Sequence, residues 1–434
     1  IREQGIARAH LSKDGTPEPV FFTKLPFVQE GNPNTPASIS KLKQFGRYLQ
    51  QEIDAVVFLG IGGSYLGNKV LFDVFAGSSW NVGCEKSRQG YPRIYFSGNN
   101  LDVDQYHEIV SELEYLAQHR LGKEEQFRVL LVPISKSGTT LETLAAFTYF
   151  YEQCQKSSLL QLEVAVVTDL AEGASPLCSL AKERSWPCFD IKEGIGGRFC
   201  IFSDPGLITA AAIGMDIDAF LLGAKDMEMA CRSASLEENP ALLNAAVKYT
   251  AAENGLDIEV FMPYAAKMKS VGEWYVQLLA ESLGKRSDRA GNIVYYGRTP
   301  VAAVGSTDMH AQTQQHQDGK KDKVVQFVEI LERDQQITLN NPFDHVAAFK
   351  KYEGLTVDTA LKIALAANAE ALASDGRLNA KYILPRIDAY YLGQLLYFLM
   401  LSVAYEGELA DVDAYDQPGV ETYKRIMKQK LSQQ

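Results

Sequence analysis

Residues 54–67 read DAVVFLGIGGSYLG, an apolar run from Ala55 to Leu59 that ends on four glycines within the next eight residues. A strand without polar alternation is covered on both faces, as strands in parallel sheets are. The glycine turn and the helix-length segment after it complete a strand–turn–helix unit. The same reading extends outward. RIYFS at 93–97, VLLVPI at 129–134 and VAVVT at 164–168 are further strands. After about residue 240 the pattern restarts, with EVFM at 259–262, NIVYY at 292–296, VAAV at 301–304 and VVQFVEI at 324–330. This alternation predicts an α/β chain of two doubly wound α/β/α sandwich domains with mainly parallel sheets, plus a C-terminal helical arm. The expected parts are an N-terminal segment 1–44, a first domain 45–190, a connecting segment 191–240, a second domain 241–405 and an arm 406–434.

Composition narrows the function. The chain has 434 residues and a formal net charge of −11, so it lacks the basic balance of a nucleic-acid binder. Any anionic ligand must therefore be held by a local site against the overall field. The six cysteines (Cys84, Cys154, Cys178, Cys188, Cys200 and Cys231) are scattered, without C-x-x-C or zinc spacing, which reads as a reduced thiol set in the cytoplasm. His310 and His316 lack the H-E-x-x-H spacing, and no metal site is expected. No signal-peptide pattern is visible. The longest uncharged run, Ala389 to Tyr405, is shorter than the ~20 residues of a membrane span and reads as a buried core helix.

In such sheets ligands sit beyond the carboxyl ends of the strands, so the residues directly after each strand carry the functional reading. After the first strand, GIGGSYLG (60–67) allows close backbone approach and aims a helix N-terminus at an anion. It is not G-x-G-x-x-G, because Tyr65 holds the third glycine's place, nor a Walker A loop, because Asn68 stands where lysine belongs. By itself it is equally a tight turn. After VLLVPI comes Ser135-Lys136-Ser137-Gly138-Thr139-Thr140, with Glu142 and Thr143 opening a helix. Four hydroxyls and a lysine at a helix N-terminus match the needs of a phosphate monoester. The plainer reading is a capping hydroxyl beside a solvated lysine, although one hydroxyl suffices for a cap.

Residues 262–285 are predicted to form a helix with Met268, Val271, Tyr275, Leu278 and Ser282 on its core stripe. Gln277 and Glu281, four apart, project together from another face. Taken alone, Glu281 reads as a solvated glutamate near a helix end. His310 follows the strand VAAV by six residues; His316 is its rival, and a lone histidine is more often structural. Arg198 stands behind the diglycine 196–197, where it is either presented to an anion or exposed on a turn. Lys424 lies on a short helix that Pro418 starts, and spacing does not separate it from Arg425, Lys428 and Lys430.

Taken in order, GIGGSYLG (60–67), SKSGTTLET (135–143), GIGGRF (194–199), QLLAESLGK (277–285), GSTDMHAQTQQHQDG (305–319) and DQPGVETYK (416–424) resemble the glucose-6-phosphate isomerase family. The resemblance runs from about Val56 to Lys424. It implies two sugar-isomerase (SIS) domains, no cofactor, and a homodimer or higher homo-oligomer with shared active sites. It implies that Ser135, Lys136, Ser137, Gly138, Thr139 and Thr140 hold the phosphate of a hexose 6-phosphate, with Gly63 and Ser64 lining the sugar. Glu281 resembles the family's catalytic base and Gln277 its substrate-contacting neighbour. His310 resembles the ring-opening histidine, which in the family reaches in from the adjacent subunit. Lys424 resembles its partner on the C-terminal helix, and Arg198 the stabiliser of the enediolate. Many relatives are longer and carry threonine and phenylalanine in place of Ser137 and Gly138, so the chain looks like the shorter bacterial type.

The implied reaction is the reversible isomerisation of glucose 6-phosphate to fructose 6-phosphate, in glycolysis and gluconeogenesis, through ring opening and a cis-enediolate. A non-catalytic SIS module that senses a sugar phosphate would need the SKSGTT loop but not Glu281, His310 and Lys424. The isomerase half of glucosamine-6-phosphate synthase would come with a glutaminase domain, for which no segment is visible. A dual glucose/mannose phosphate isomerase stays open, since the epimers differ only at C2.

Overall fold

The computed structural model describes residues 1–12, 14–120 and 126–433. Two compact units are present, Ile1–Glu228 and Met229–Gln434.

In the first unit, β1 (Ala55–Leu59), β2 (Arg93–Ser97), β3 (Phe127–Pro133) and β4 (Leu160–Val164) form a sheet in the order β2-β1-β3-β4, every pair parallel. Every side chain of β1 is buried, as its unbroken apolar run requires. The stretch 164–168 is not one strand. It divides at Ala165 into the end of β4 and β5 (Val166–Thr168), and β5 pairs with β6 (Cys188–Asp190). A parallel bridge between Ile134 and Val167 keeps β5 beside β3, past the end of β4. Helix α1 (Pro36–Glu52) opens with a reciprocal capping box between Thr35 and Ser38, and Pro36 fills the first helical position. Helices α2 (Gly63–Phe75) and α3 (Leu141–Lys156) leave the sheet directly after β1 and β3. Both helix N-termini therefore lie at the carboxyl end of the sheet.

The second unit repeats the scheme. Its parallel sheet runs β8-β7-β9-β10, from β7 (Ile258–Pro263), β8 (Thr299–Ala302), β9 (Lys323–Ile330) and β10 (Asn379–Leu384). A mixed α/β chain with mainly parallel sheets is thus borne out. NIVYY is a correction: Ile293–Tyr296 pairs antiparallel with Lys285–Ser287, outside the parallel sheet, and most of it is exposed. The turn between them, with Gly291 at φ +89° and Asn292 bonded to Asp288, makes a hairpin from what reads as a core strand. β10 has no apolar run because it is a half-exposed edge strand.

The helix read from residue 262 begins later. β7 holds its extended backbone through Pro263, and α4 spans Lys269–Leu283. Its expected stripe of Met268, Val271, Tyr275, Leu278 and Ser282 is fully buried. Two helices follow at the periphery, α5 (Thr307–Asp318) and, at the end of the chain, α7 (Pro418–Leu431). Between them α6 (Ala389–Leu409) is a core helix, and no described helix is long and apolar enough to cross a membrane.

Under this sheet lies a buried charge cluster. Glu259 of β7 accepts from Lys248, from Tyr275 Oη (2.9 Å) and from Arg298 Nε and Nη2 (3.0 and 2.9 Å). Arg298 also holds Glu406 of α6 through both terminal nitrogens, and Tyr296 Oη donates to Glu406 at 2.7 Å. Two cations face two carboxylates, so the cluster is neutral, the condition under which buried charge is tolerated.

Candidate active site

The first unit builds a cleft of about 360 Å³ at the carboxyl end of its sheet. Ile61 and Ser64 from the glycine turn line one side; Ser135, Lys136, Ser137 and Thr140 line the other. The two loops that follow β1 and β3 therefore face one space, as the parallel order of those adjacent strands dictates. Gly62 caps α2 at φ +59°, a conformation that favours glycine. Gly63 sits against the Gly197 carbonyl so closely that a Cβ would overlap it. The GIGG turn and the GIGGRF segment thus touch.

The hydroxyls of the 135–140 loop do not cap α3. Thr140 occupies the N-cap position without a side-chain cap bond. Its Oγ1 lies 3.0 Å from Ser135 Oγ, and Ser135 Oγ accepts from the Gly138 N–H at 3.2 Å. Thr139 donates to Ser137 Oγ through both its N–H (3.3 Å) and its Oγ1 (3.0 Å). From beneath, Thr168 Oγ1 donates to the Ser135 carbonyl at 2.7 Å and lies 2.6 Å from Ser175 Oγ. Gly138 has φ +63°, and a Cβ there would overlap Ser175 Oγ. Lys136, Ser137 and Thr139 remain exposed, while Ser135 and Gly138 are buried. The capping reading fails on this geometry. The first-turn amides of α3 are capped by no side chain and stand at the positive end of the helix dipole, the arrangement in which helix N-termini receive anions.

Thr143, which the sequence shows only as part of the helix opening, gains a role from its position. Thr143 lines the same space, is fully buried, and its Oγ1 has no hydrogen-bond partner. It stands three residues after Thr140, so the helical repeat places both on one side of the first turn.

Arg198 is not the exposed arginine of a turn. It begins the 3₁₀ segment Gly197–Phe202 and is 2 % exposed, its guanidinium 5.5 Å from the Phe199 ring.

In the second unit Gln277 Nε2 donates to Glu281 Oε1 at 3.0 Å, so the two project together as their spacing requires. Glu281 is half-buried, not a solvated helix-end residue, and Gln277 Oε1 is buried without a partner. His310 is exposed on α5, whereas His316 on the same helix is 4 % exposed. Burial, with Lys323 and Arg377 adding to it, holds the pKa of His316 below the ordinary histidine range. His316 is thus the structural histidine and His310 the presented one. Lys424 is exposed on α7, its Nζ 3.5 Å from Glu421 Oε1.

The sequence pattern of the phosphoglucose isomerase family matches residues 41–434, nine-tenths of the chain. The chain belongs to the phosphoglucose isomerase family. Among relatives in this family, the glucose-6-phosphate isomerase of Carboxydothermus hydrogenoformans is 34 % identical over 406 residues, covering 93 % of this chain and 83 % of the relative. That of Clostridioides difficile is 31 % identical over 391 residues, covering 89 % and 82 %. A hypothetical protein of Thermus thermophilus has the same fold at TM-score 0.78 and 30 % identity, covering 94 % of this chain and 89 % of its own. A glucose-6-phosphate isomerase from Chlamydia trachomatis shares the fold at TM-score 0.77, with 23 % identity and coverage of 99 % and 82 %.

Proposed function

We propose that this phosphoglucose isomerase family member interconverts glucose 6-phosphate and fructose 6-phosphate; its relatives are named glucose-6-phosphate isomerases. The observation that carries the reading is the 135–140 loop, whose hydroxyls bond to one another and leave the mouth of α3 to an anion. In this reading the sugar phosphate is anchored by Ser135, Ser137, Thr139 and Thr140 with Lys136, at backbone made close by Gly138; Gly63 and Ser64 line the sugar. His310 and Lys424 move protons at the ring oxygen and the anomeric hydroxyl to open the ring. Glu281 takes the proton from C2 of the open aldose; the C2 electron pair becomes the enediolate double bond as the C1 carbonyl oxygen gains charge. Returning that proton to C1, while the C2 hydroxyl gives up its proton and the C1 oxygen takes one, gives the ketose. One carboxylate reaches two adjacent carbons, and Gln277 holds it by one oxygen. Arg198 stabilises the developing oxyanion.

The same reading assigns SIS-type domains to 45–190 and 241–405. It places the enzyme in the cytoplasm, supported by six cysteines that are all free thiols. It also makes the active form a homodimer or higher homo-oligomer, with His310 completing a neighbour's site; the exposure of His310 supports this.

The test is Glu281→Gln in a coupled assay with fructose 6-phosphate. KM should change little while kcat falls by roughly two to four orders of magnitude, the contribution of a general base. Near-normal turnover would remove Glu281 from the reaction. Inactive His310→Ala subunits mixed with inactive Glu281→Gln subunits should regain activity after verified exchange; silence there would end the shared-site assignment.

A further inference from the structure

Lys285 closes the end of the helix that carries Glu281, yet its side chain is only 5 % exposed. Two carbonyls accept from its ammonium, that of Glu281 at 2.7 Å and that of Asp416 at 2.6 Å, and the Asp416 carboxylate pairs with its charge at 3.0 Å. An ammonium offers three protons, and a flexible stem lets it meet acceptors from different directions. The first acceptor is one of the last carbonyls of α4, which no helical amide can satisfy. It is also the backbone of the proposed base itself. The other two belong to the residue directly before Gln417, the N-cap of α7.

Helix α7 needs such an attachment. None of its residues is buried, so it has no packed face of its own to fix it. The chain leading to it is pinned by Val412 and Ala414, both fully buried, and then by Asp416 on Lys285. The segment leading into the Lys424 helix is thus held at Asp416 by an ammonium that also grips the backbone of Glu281.

We propose that Lys285 is a positioning residue for the reaction, joining the end of the Glu281 helix to the start of the Lys424 helix through Asp416. The proposal rests on the catalytic roles given above to Glu281 and Lys424. The tether sets the base and the ring-opening lysine in a fixed relation, and a displacement near 1 Å in such groups costs up to about 100-fold in rate. Arginine cannot replace it: a planar fork does not serve acceptors that converge on a point.

The experiment compares Lys285→Met, Lys285→Arg and Asp416→Ala with Glu281→Gln in the full chain, assayed well below the melting temperature of each variant. Both Lys285 variants should lose roughly 10- to 100-fold in kcat with KM within about threefold. Lys285→Met combined with Asp416→Ala should cost little more than Lys285→Met alone, because Lys285→Met already removes the cation that the Asp416 carboxylate pairs with. Three outcomes would overturn the tether: kcat per folded molecule unchanged with only the melting temperature lowered, a loss confined to KM, or full additivity. An active Glu281→Gln enzyme would instead overturn the catalytic reading on which the tether depends, so the two failures are distinct.

Discussion

Thr143 shows how much one hydroxyl can say. It is buried and unpartnered in a cleft where the hydroxyls of the 135–140 loop are paired with one another. A fold leaves such a group unsatisfied at a cost unless a ligand completes it. Thr143→Val keeps the shape and removes only the hydroxyl. It should raise the KM for fructose 6-phosphate by about 10-fold or more, the loss of one hydrogen bond to a charged group worth roughly 1.5–3 kcal/mol. The melting temperature should hold, because no bond within the protein is broken. An unchanged KM would exclude Thr143 from the phosphate site. Residues of this kind are half-legible in sequence. The loop SKSGTT announces phosphate chemistry through residue type and its place after a strand, but whether a hydroxyl caps the helix or faces a ligand is a matter of rotamer. Glu281 shows the same limit: spacing pairs it with Gln277, and only the packing around α4 withdraws it from bulk water.

Elements were readable where burial acts on both faces. The runs in β1 and β9 are apolar because parallel central strands meet no water, and they stand out at once. Edge strand β10 and the hairpin at 285–296 escaped or misled the reading, since exposure on an edge erases the pattern and a surface strand of aromatic and branched residues imitates a core one. The charge cluster joining α6, β7, β8 and their neighbours is invisible in one dimension. Arg298 lies 39 residues from Glu259 and 108 from Glu406, and no local spacing pairs them. Burial lowers the pKa of Lys248, while its pairing with Glu259 opposes that shift. Arg298→Met would leave Glu259 and Glu406 short of a buried cation. We expect a loss of roughly 3–5 kcal/mol in urea unfolding at pH 7, the usual cost of removing one partner from a buried pair. A loss below about 1 kcal/mol would mean that the cluster is hydrated in solution.

For the molecule as a whole, stability should carry a pH signature from the first unit. Asp204 opens a buried helix, and its carboxylate accepts from the Asp190 N–H at 2.9 Å. Burial first, helped by the nearby Asp190 charge, pushes its pKa up to about 6, with the hydrogen bond from the Asp190 N–H, and then Lys41 and Lys192, opposing. The unfolded chain titrates near 3.9, so between these values the native state holds the extra proton and stability falls as pH rises. The penalty is absent below about pH 4 and fully present above about pH 6. Asp204→Asn keeps the accepting oxygen and cannot ionise. It should stabilise the protein by roughly 1–3 kcal/mol at pH 8, and the gain should shrink as pH falls through 6. Chemical denaturation at pH 8 and pH 5 decides it; an equal gain at both would rule out titration of Asp204 as the cause.

The sequence by itself determined the α/β class and the two successive parallel sheets. It also set the strand-end loops where ligands bind and the (i, i+4) pairing of Gln277 with Glu281. These follow from hydrophobic periodicity, glycine punctuation and helical repeat, all of which are local. The tertiary structure alone decided that Arg198 and His316 are buried, that the loop hydroxyls bond each other instead of capping α3, and that Lys285 reaches Asp416. The two burials and the Lys285–Asp416 contact depend on segments distant along the chain, and the loop bonds depend on side-chain rotamers; residue type and spacing carry the free energy of neither.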